Sequence, residues 1–369
     1  MNATRAAKFA PQGKKRILAL DGGGIRGIAT VEILAAIEAK LRVLSGKPNL
    51  VLADYFDLMA GTSTGAIIAT CLSLGMTVDQ VRTFYRDSGS AMFDRASLLK
   101  QYWYKFKDEP LIAQLKTVLG ADTEFGSERL RTALILVMRN ASTDSPWMLS
   151  NHPSARYNAS TRDDCNLKLP LWQLVRASTA APSYFPPEII KVGEHDFMFV
   201  DGGVTTYNNP AFLAFTMATL EPYAYHWKSG RDDMLVVSIG TGTTPEMIDG
   251  TSAPGLIGIA SGTPSALMNA ASAQQDLLCR MFGNTLLGPL IDREVGNLIG
   301  ARGPTDSKLF SYIRYAFDLT SAALTALGLG QLDAKRMQDL AAVAAMDDLT
   351  LVGRKVAESV DSAHYQPFL

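Results

Sequence analysis

Short apolar runs that end at glycines and lead into helical patterns recur along this 369-residue sequence. The run from Arg16 to Leu20 stops at Asp21-Gly22-Gly23-Gly24, and apolar residues at helical spacing follow from Ile28 to Leu44. A second run, from Tyr55 to Ala60, stops at Gly61-Thr62-Ser63-Thr64-Gly65. Unbroken runs of this length are typical of strands buried on both faces, as in a parallel sheet. The pattern therefore favours strand–helix units.

Further runs of the same kind predict strands from Thr132 to Arg139, from Phe197 to Val200 and from Leu235 to Ile239, with helical patterns between several of them. Strands that alternate with helices predict an α/β fold with three layers and a mostly parallel central sheet. We expect a single domain, because no low-complexity linker divides the chain.

Changes in composition suggest how this domain is organised. Residues 1–14 are expected to form a flexible N-terminal tail and residues 15–245 the α/β core. Residues 246–369 are expected to form a C-terminal cap, a helical elaboration packed on the same domain. Within it, weak periodicity from Thr243 to Pro304 predicts loops and short helices, and the amphipathic stretch from Gln331 to Val360 predicts a closing helical segment.

Charge and cysteine content exclude several classes of function. The 35 Lys and Arg residues against 36 Asp and Glu residues give a net charge of −1, so nucleic acid is not an expected partner. Cys71, Cys165 and Cys279 are widely separated, and neither a disulfide framework nor a zinc site is expected. Without a signal-peptide pattern or a run of about 18 to 20 apolar residues, a cytoplasmic location is expected.

The pattern Gly61-x-Ser63-x-Gly65 lies between a predicted strand and a predicted helix. A nucleophile elbow requires this arrangement, because the sharp turn leaves no room for side chains on either side of the serine. The serine hydroxyl then stands above the sheet edge, where the N-terminus of the helix favours developing negative charge. Ser63 is therefore the candidate nucleophile.

The segment Asp21-Gly22-Gly23-Gly24-Ile25-Arg26-Gly27 follows the first predicted strand. Consecutive glycines let backbone N–H groups converge on an anion, which in an acyl-transfer enzyme makes an oxyanion hole with Arg26 nearby. A plain strand-to-helix turn is one alternative. The spacing also matches the dinucleotide-binding fingerprint, and Asp-Gly-Gly-Gly resembles the phosphate loop of sugar-kinase and actin-like ATPases. The acid before the first glycine fits the fingerprint poorly, and Ile25 stands where those ATPases usually have a small hydroxyl residue.

A third motif, Asp201-Gly202-Gly203, follows a predicted strand and suggests the base. A serine nucleophile usually uses a histidine, but the four histidines, at positions 152, 195, 226 and 364, are better explained as surface or structural residues. His195 precedes Asp201 on one apparent strand and would lie about 20 Å from it at about 3.3 Å per residue. The simplest device is a pair in which Asp201 itself accepts the Ser63 proton, aided by partial desolvation.

These three motifs, in this order, resemble the patatin-like phospholipases over about residues 15–245. The resemblance implies a patatin-like fold in which Ser63 is the nucleophile and Asp201 its dyad partner. It implies hydrolysis of ester bonds in phospholipids through an acyl-enzyme, without a catalytic histidine, metal or cofactor. The oxyanion hole would be formed or supported by Gly22, Gly23, Gly24 and Arg26. Further glycines support the motifs: Gly61, Gly65, Gly202 and Gly203.

Within the family, the segment from Asp201 to Pro210 and the long C-terminal third look most like bacterial phospholipases that cyclic dinucleotides activate in anti-phage defence. That similarity implies an activator such as cyclic GMP-AMP. The effector site is unknown from sequence; a cluster with phosphate-binding and base-stacking groups is a candidate, and a solvated face is its alternative. The cluster comprises Arg302, Lys308, Tyr312, Arg314 and Tyr315.

A phospholipid substrate implies peripheral contact with a membrane, expected at the inner face of the cell membrane. Candidate contact segments are Met92-Phe93, Tyr102 to Lys107 and the Met- and Leu-rich stretch 277–290, although the same residues suit a core. Three alternatives remain: an unregulated lysophospholipase or esterase, a nucleotide phosphotransferase using the first glycine loop, and a binding module without catalysis. The oligomeric state is open, a homo-oligomer included.

Overall fold

The computed structural model describes residues 3–92, 106–244 and 256–369. One sheet is built by nine strands of these residues: β1 (Lys15–Leu20), β2 (Leu58–Thr62), β3 (Ala133–Asn140), β4 (Ser145–Ser150), β5 (Glu188–Val192), β6 (His195–Asp201), β7 (Met234–Ile239), β8 (Asn284–Leu287) and β9 (Ser311–Tyr315).

The same residues form these α-helices: α1 (Ala3–Phe9), α2 (Gly27–Ser45), α3 (Leu52–Tyr55), α4 (Thr64–Ser73), α5 (Val78–Met92), α6 (Glu109–Leu119), α7 (Leu171–Ser178), α8 (Ala211–Thr219), α9 (Leu256–Phe282), α10 (Ser321–Ala326), α11 (Ala334–Gln338) and α12 (Met346–Ala357). None of the helices in the described ranges combines the length and apolarity that crossing a bilayer requires.

The strand order is β5-β6-β3-β2-β1-β7-β9-β8, and β4 pairs with β3. Strands β1, β2, β3, β7, β8 and β9 all run parallel, whereas β4 and β6 are antiparallel to β3. The carboxyl ends of the six parallel strands therefore meet at one edge of the sheet, where α/β proteins place their sites.

Both faces of the sheet are covered by helices. In β1, Leu18 and Leu20 belong to one core cluster, with α2, α4 and α12, while Ile17 and Ala19 belong to the other, with α8 and the end of α9. Such burial on both faces explains why the strand sequences are unbroken apolar runs. The predicted α/β class with a mostly parallel central sheet is confirmed.

The expectation of a flexible N-terminal tail was wrong for the part that is described. Residues 3–9 form α1, and Phe9 is buried against His152 and Tyr225. Lys8 donates to the carbonyl oxygen of Phe56 at 2.9 Å. The composition of this segment is polar and basic, but its cations have carbonyl and carboxylate partners elsewhere in the fold, which local sequence does not reveal.

The C-terminal third also differs from the expectation of loops and short helices. Residues 256–282 form α9, a single 27-residue helix. The third is not purely helical either, because β8 and β9 extend the central sheet beyond β7. It is joined to the rest of the domain by strand pairing and by the packing of α12 on α2, which is close at Gly353: a Cβ there would lie only 2.6 Å from the carbonyl oxygen of Ala29.

Candidate active site

Ser63 lies in the tight turn between β2 and α4, with φ 54° and ψ −122°, a strained conformation for a non-glycine residue. The flanking glycines are needed for steric reasons. A Cβ on Gly61 would lie 2.2 Å from the carbonyl oxygen of Gly65, and one on Gly65 would lie 2.2 Å from that of Leu20. The geometry is that of a nucleophile elbow.

A hydrogen-bond relay holds the strained turn in place. The backbone N–H of Ser63 donates to Ser178 Oγ at 2.9 Å, and the Ser178 hydroxyl donates to the carbonyl oxygen of Val137 at 2.6 Å. Ser178 is the last residue of α7 and was given no role by the sequence. Its role depends on α7 ending beside Ser63 and β3, a long-range contact that the local sequence does not encode.

Ser63 and Asp201 are brought together. Ser63 Oγ donates to Asp201 Oδ2 at 2.6 Å, and both side chains are buried. Strand register explains how residues 138 positions apart meet: β3 pairs Val137 with Thr62 on one side and Met138 with Asp201 on the other. The two side chains therefore stand at nearly the same level on either side of β3.

The second oxygen of Asp201 is fixed by its own motif. Asp201 Oδ1 accepts a hydrogen bond from the Gly203 N–H at 2.6 Å. At Gly202 a Cβ would lie 2.4 Å from the carbonyl oxygen of Val137, so this glycine lets the turn pack against β3. Both carboxylate oxygens of Asp201 are thus oriented, which leaves Oδ2 aimed at the serine.

Burial raises the pKa of Asp201 to about 6, although the hydrogen bonds from Ser63 and Gly203 and the positive charge of Arg176 act to lower it. A carboxylate with a pKa of about 6 is a stronger base than an exposed one and is still mostly ionised at neutral pH. The site can therefore transfer a proton from serine to aspartate.

In the glycine loop after β1, two backbone N–H groups are bonded within the protein and two are not. The Gly22 N–H donates to the carbonyl oxygen of Asn208 at 3.1 Å, and the Ile25 N–H donates to that of Leu340 at 2.9 Å. Within the described residues, the N–H groups of Gly23 and Gly24 donate no hydrogen bond. Both glycines line the cavity that contains Ser63, so they have the position and the free hydrogens of oxyanion donors.

A buried ion pair ties this loop to the C-terminal third. Arg314, in β9, donates to both carboxylate oxygens of Asp21, at 2.8 and 2.6 Å, and to Ser238 Oγ at 2.7 Å. Burial opposes the positive charge, but the Asp21 carboxylate raises the pKa of Arg314 above its ordinary value. Thr241 Oγ1 also donates to the carbonyl oxygen of Gly22 at 2.7 Å. The loop is thus anchored by β7 and β9, which sequence analysis did not connect to it.

Arg26 and Gly22 differ from the oxyanion role that the resemblance gave them: Gly22 is close to Ser63, because a Cβ on it would lie 3.2 Å from Ser63 Cβ, but its N–H already donates to Asn208. They line a second, polar cavity of about 30 Å³, whereas neither lines the cavity of Ser63. Arg26 Nε is 3.4 Å from the carbonyl oxygen of Gly23, and burial lowers the pKa of Arg26 to about 10. Arg26 therefore contacts the loop from the side of the second cavity, and Gly23 and Gly24 are the candidate oxyanion donors.

The cavity of Ser63 has a volume of about 330 Å³ and a largely apolar wall that includes Ile67, Leu111, Phe185 and Met268. Among its described lining residues, the ionisable side chains are those of Asp201, Tyr85 and Tyr184, and none is Lys, Arg or His. The volume falls within the range of small-ligand pockets. Such a wall suits an acyl chain and provides no counter-charge for a polyphosphate.

The four histidines lie elsewhere. His152 is buried against Phe9 and Tyr225, and burial lowers its pKa to about 4, so it is neutral at physiological pH. His195 and His226 are exposed and His364 is half-buried. In the described part of the chain no histidine lines the cavity of Ser63, and the carboxylate that does so is Asp201.

The cluster expected to bind an effector does not form one surface. Tyr312, Arg314 and Tyr315 are buried in β9, and Arg314 is committed to Asp21; of the other two, Arg302 is exposed and Lys308 half-buried. The alternative, a solvated face, is also wrong for Tyr312, Arg314 and Tyr315, because all three are buried. Of the predicted membrane-contact segments, Met92-Phe93 and the first four residues of Tyr102 to Lys107 lie outside the residues whose side chains are described, and Phe106 is buried.

Comparison with known proteins agrees with these motifs. A family model described as patatin-like phospholipase matches residues 18–215. Patatin-17 of Solanum cardiophyllum is 29% identical over 262 residues, which cover 66% of this chain and 65% of that protein. Patatin-T5 of Solanum tuberosum is 28% identical with the same coverage. The chain therefore spans 65% of the length of these relatives.

Among solved structures, VipD from Legionella pneumophila aligns with a TM-score of 0.38 and 13% identity, covering 92% of this chain and 67% of that chain. A likeness at this level says nothing about activity.

Proposed function

The chain belongs to the patatin-like phospholipase family, and on that premise we propose that it cleaves carboxylic ester bonds of phospholipids with a Ser63–Asp201 dyad. The observation that carries the proposal is the 2.6 Å hydrogen bond from Ser63 Oγ to Asp201 Oδ2, beside the unbonded N–H groups of Gly23 and Gly24. This combination supplies a nucleophile, its base and donors for the developing negative charge.

The reaction proceeds in two halves. Ser63 Oγ attacks the ester carbonyl carbon while its proton passes to Asp201 Oδ2, and the oxyanion accepts hydrogen bonds from Gly23 and Gly24. Collapse of this intermediate breaks the bond to the alcohol, which takes the proton from Asp201 and leaves an acyl-enzyme. Asp201 then accepts a proton from water, the hydroxide attacks the acyl carbon, and the fatty acid departs as Ser63 regains its proton.

The apolar wall of the 330 Å³ cavity supports a lipid as the source of the acyl group. Burying a chain against Ile67, Leu111 and Phe185 gains free energy in proportion to the apolar area removed from water. Either nucleotide interpretation of the glycine loop is disfavoured: the Ser63 cavity has no cationic side chain among its described lining residues to neutralise a polyphosphate, and the second cavity, which Arg26 lines, has a volume of only about 30 Å³. An unregulated lysophospholipase or esterase fits the same geometry.

Activation by a cyclic dinucleotide such as cyclic GMP-AMP, in anti-phage defence, stays a prediction of the sequence, as does action in the cytoplasm. Since Tyr312, Arg314 and Tyr315 are buried, we do not place the effector there. Calorimetric titration with a panel of cyclic dinucleotides, together with ester hydrolysis with and without each compound, separates a regulated phospholipase from an unregulated one. Heat of binding with a rate increase supports regulation, and neither effect with any compound contradicts it.

The proposed reaction is tested by substituting the nucleophile. We expect Ser63→Ala to reduce hydrolysis of phospholipid vesicles and of a soluble short-chain ester by at least about 10³-fold. Ser311→Ala is the matched control, because Ser311 is also buried but lies at the start of β9, on the opposite edge of the sheet. A folded Ser63→Ala protein with the parent rate refutes the proposal.

A further inference from the structure

The loop that follows β8, residues 288–300, exposes aliphatic side chains to solvent; we call it the β8 loop. Leu290, Val295 and Ile299 are 68%, 41% and 47% exposed. Single exposed aliphatic residues are ordinary on protein surfaces, but three in one loop leave an unusual amount of apolar surface in water, and such surfaces often bind a partner or a membrane.

The base of the β8 loop is held by Arg280, which is almost fully buried near the end of α9. One guanidinium nitrogen of Arg280 donates to the carbonyl oxygens of Pro289, at 2.7 Å, and Asn297, at 2.9 Å. The other two nitrogens pair with Asp276 at 2.9 and 2.7 Å. The two ends of the loop therefore meet at one nitrogen atom, and a buried ion pair fixes that atom.

The tip of the loop is also organised by hydrogen bonds. The Ile291 N–H donates to the carbonyl oxygen of Gly296 at 2.8 Å. Asp292 Oδ1 accepts from the N–H groups of Glu294, at 2.8 Å, and Val295, at 2.7 Å. A loop ordered in this way presents its aliphatic side chains without a further entropic cost when they are buried by a partner.

Sheet topology places the β8 loop on the active-site edge. Because β8 is parallel to β9, β9 to β7 and β7 to β1, the carboxyl end of β8 lies at the edge where β1 and β2 end at the glycine loop and Ser63. Three strand positions separate β8 from β1, or about 14 Å at about 4.8 Å per strand. Helix α9 spans the interval: its Ser265 and Met268 line the Ser63 cavity, and Leu267 between them is 64% exposed.

We propose that the β8 loop is the membrane-contact element of this protein, and that Leu290, Val295 and Ile299 enter the boundary between headgroups and acyl chains of a phospholipid bilayer. The inference rests on the proposed lipid substrate, since a hydrolase must hold its cavity mouth against the lipid surface. The three exposed side chains are aliphatic and belong to one loop, and a fluid bilayer can take up such side chains without a complementary groove.

The charges around the loop specify the type of bilayer. Exposed Arg293 and Arg302 balance Asp292 and Glu294, so there is no excess of positive charge to attract anionic lipid. Binding is therefore driven by apolar burial. We expect vesicles of zwitterionic phosphatidylcholine to suffice and the addition of salt to have little effect on binding.

Two assays test the proposal with the triple variant Leu290→Ser, Val295→Ser, Ile299→Ser. In the Ser63→Ala background, which prevents turnover, the triple variant should sediment with phosphatidylcholine vesicles at least tenfold more weakly. With Ser63 intact, hydrolysis of the same vesicles should fall at least tenfold while hydrolysis of a soluble short-chain ester stays within twofold. Val43→Ser is the matched control: Val43 is 81% exposed near the end of α2, at the opposite edge, and its loss should change nothing.

Unchanged vesicle binding and vesicle hydrolysis by the triple variant overturn the proposal. If the triple variant does not fold, Val295→Trp decides: its fluorescence should shift to shorter wavelength on vesicles and be quenched by brominated acyl chains, and an unshifted, unquenched spectrum contradicts insertion. If the parent protein hydrolyses neither the vesicles nor the soluble ester, the proposed function is contradicted instead. The vesicle-binding assay still decides the role of the loop in that case.

Discussion

Replacing the buried base by its neutral isostere should inactivate the protein and stabilise it. In Asp201→Asn the amide keeps an oxygen for the Gly203 N–H and directs its NH2 group toward Ser63, so no packing is lost. Loss of a general base typically costs about 10² to 10⁴ in rate. Burial disfavours the charged form of the Asp201 carboxylate, so its removal should also raise the free energy of unfolding.

The magnitude follows from the pKa of Asp201, which is about 6 in the folded protein against an ordinary 3.8. Between those values the folded state holds a proton that the unfolded state has released, so the contribution of Asp201 to stability falls as pH rises from about 4 to about 6. Above about 6 the cost levels off at about 3 kcal/mol, since one pH unit corresponds to about 1.4 kcal/mol.

Urea unfolding of both proteins checks the linkage. We expect Asp201→Asn to be more stable by about 2 to 3 kcal/mol at pH 7.5 and by only about 0.5 kcal/mol at pH 4. In the parent protein, kcat/KM for a soluble ester should rise about tenfold from pH 5 to pH 7, as a base with this pKa ionises. Asp196→Asn, at an exposed position of the same strand, is the control and should alter neither property. An Asn variant less stable at pH 7.5, or a flat pH profile, refutes the reasoning.

Three further substitutions test the supports of the site. Gly24→Ala should lower kcat at least about 10²-fold and destabilise the fold by about 1 to 3 kcal/mol, because Gly24 has φ +59° and a Cβ would lie 2.3 Å from the carbonyl oxygen of Leu340. Kinetics equal to those of the parent protein would contradict a role for Gly24 as an oxyanion donor. Arg314→Gln should cost about 3 to 5 kcal/mol in urea unfolding by leaving Asp21 unpaired, with partial recovery in Arg314→Lys; equal stability of all three proteins would contradict a paired charge. Ser178→Ala should lower the unfolding free energy by about 1 to 3 kcal/mol and reduce the rate of Ser63 labelling by a fluorophosphonate, because the Ser63 N–H loses its acceptor; unchanged labelling would mean that the relay does not hold the elbow.

The α/β core was predictable because its information is local. Each buried strand is an apolar run, each helix has its own periodicity, and Gly61 is required by its contact with Gly65, four positions away; Gly65 itself packs against the more distant Leu20 of β1. The encounter of Ser63 with Asp201 followed from motif chemistry, and the register of β3 provides its geometry.

The C-terminal third depends on distant partners and was therefore misjudged. The Arg and Tyr residues of this segment suggested either a phosphate-binding cluster or a solvated face, yet the charge of Arg314 is matched by Asp21, 293 positions away. Helix α9 contains Gly258, Gly262 and Pro264, which weaken its sequence signal. Arg26 was assigned by proximity in sequence to the glycines, but the turn at Gly24–Arg26 sends it to the other cavity. The aromatic and β-branched residues Phe310, Tyr312, Ile313 and Tyr315 were the available signal for β9.

The most direct test of the central claim is mass spectrometry of the protein after inactivation by an alkyl fluorophosphonate. The account predicts one adduct per chain, on the peptide that contains Ser63, with hydrolytic activity lost in proportion to labelling, and about 10²-fold slower labelling in Asp201→Asn. Complete modification of Ser63 with full activity retained, or inactivation with the adduct on another residue, would contradict it.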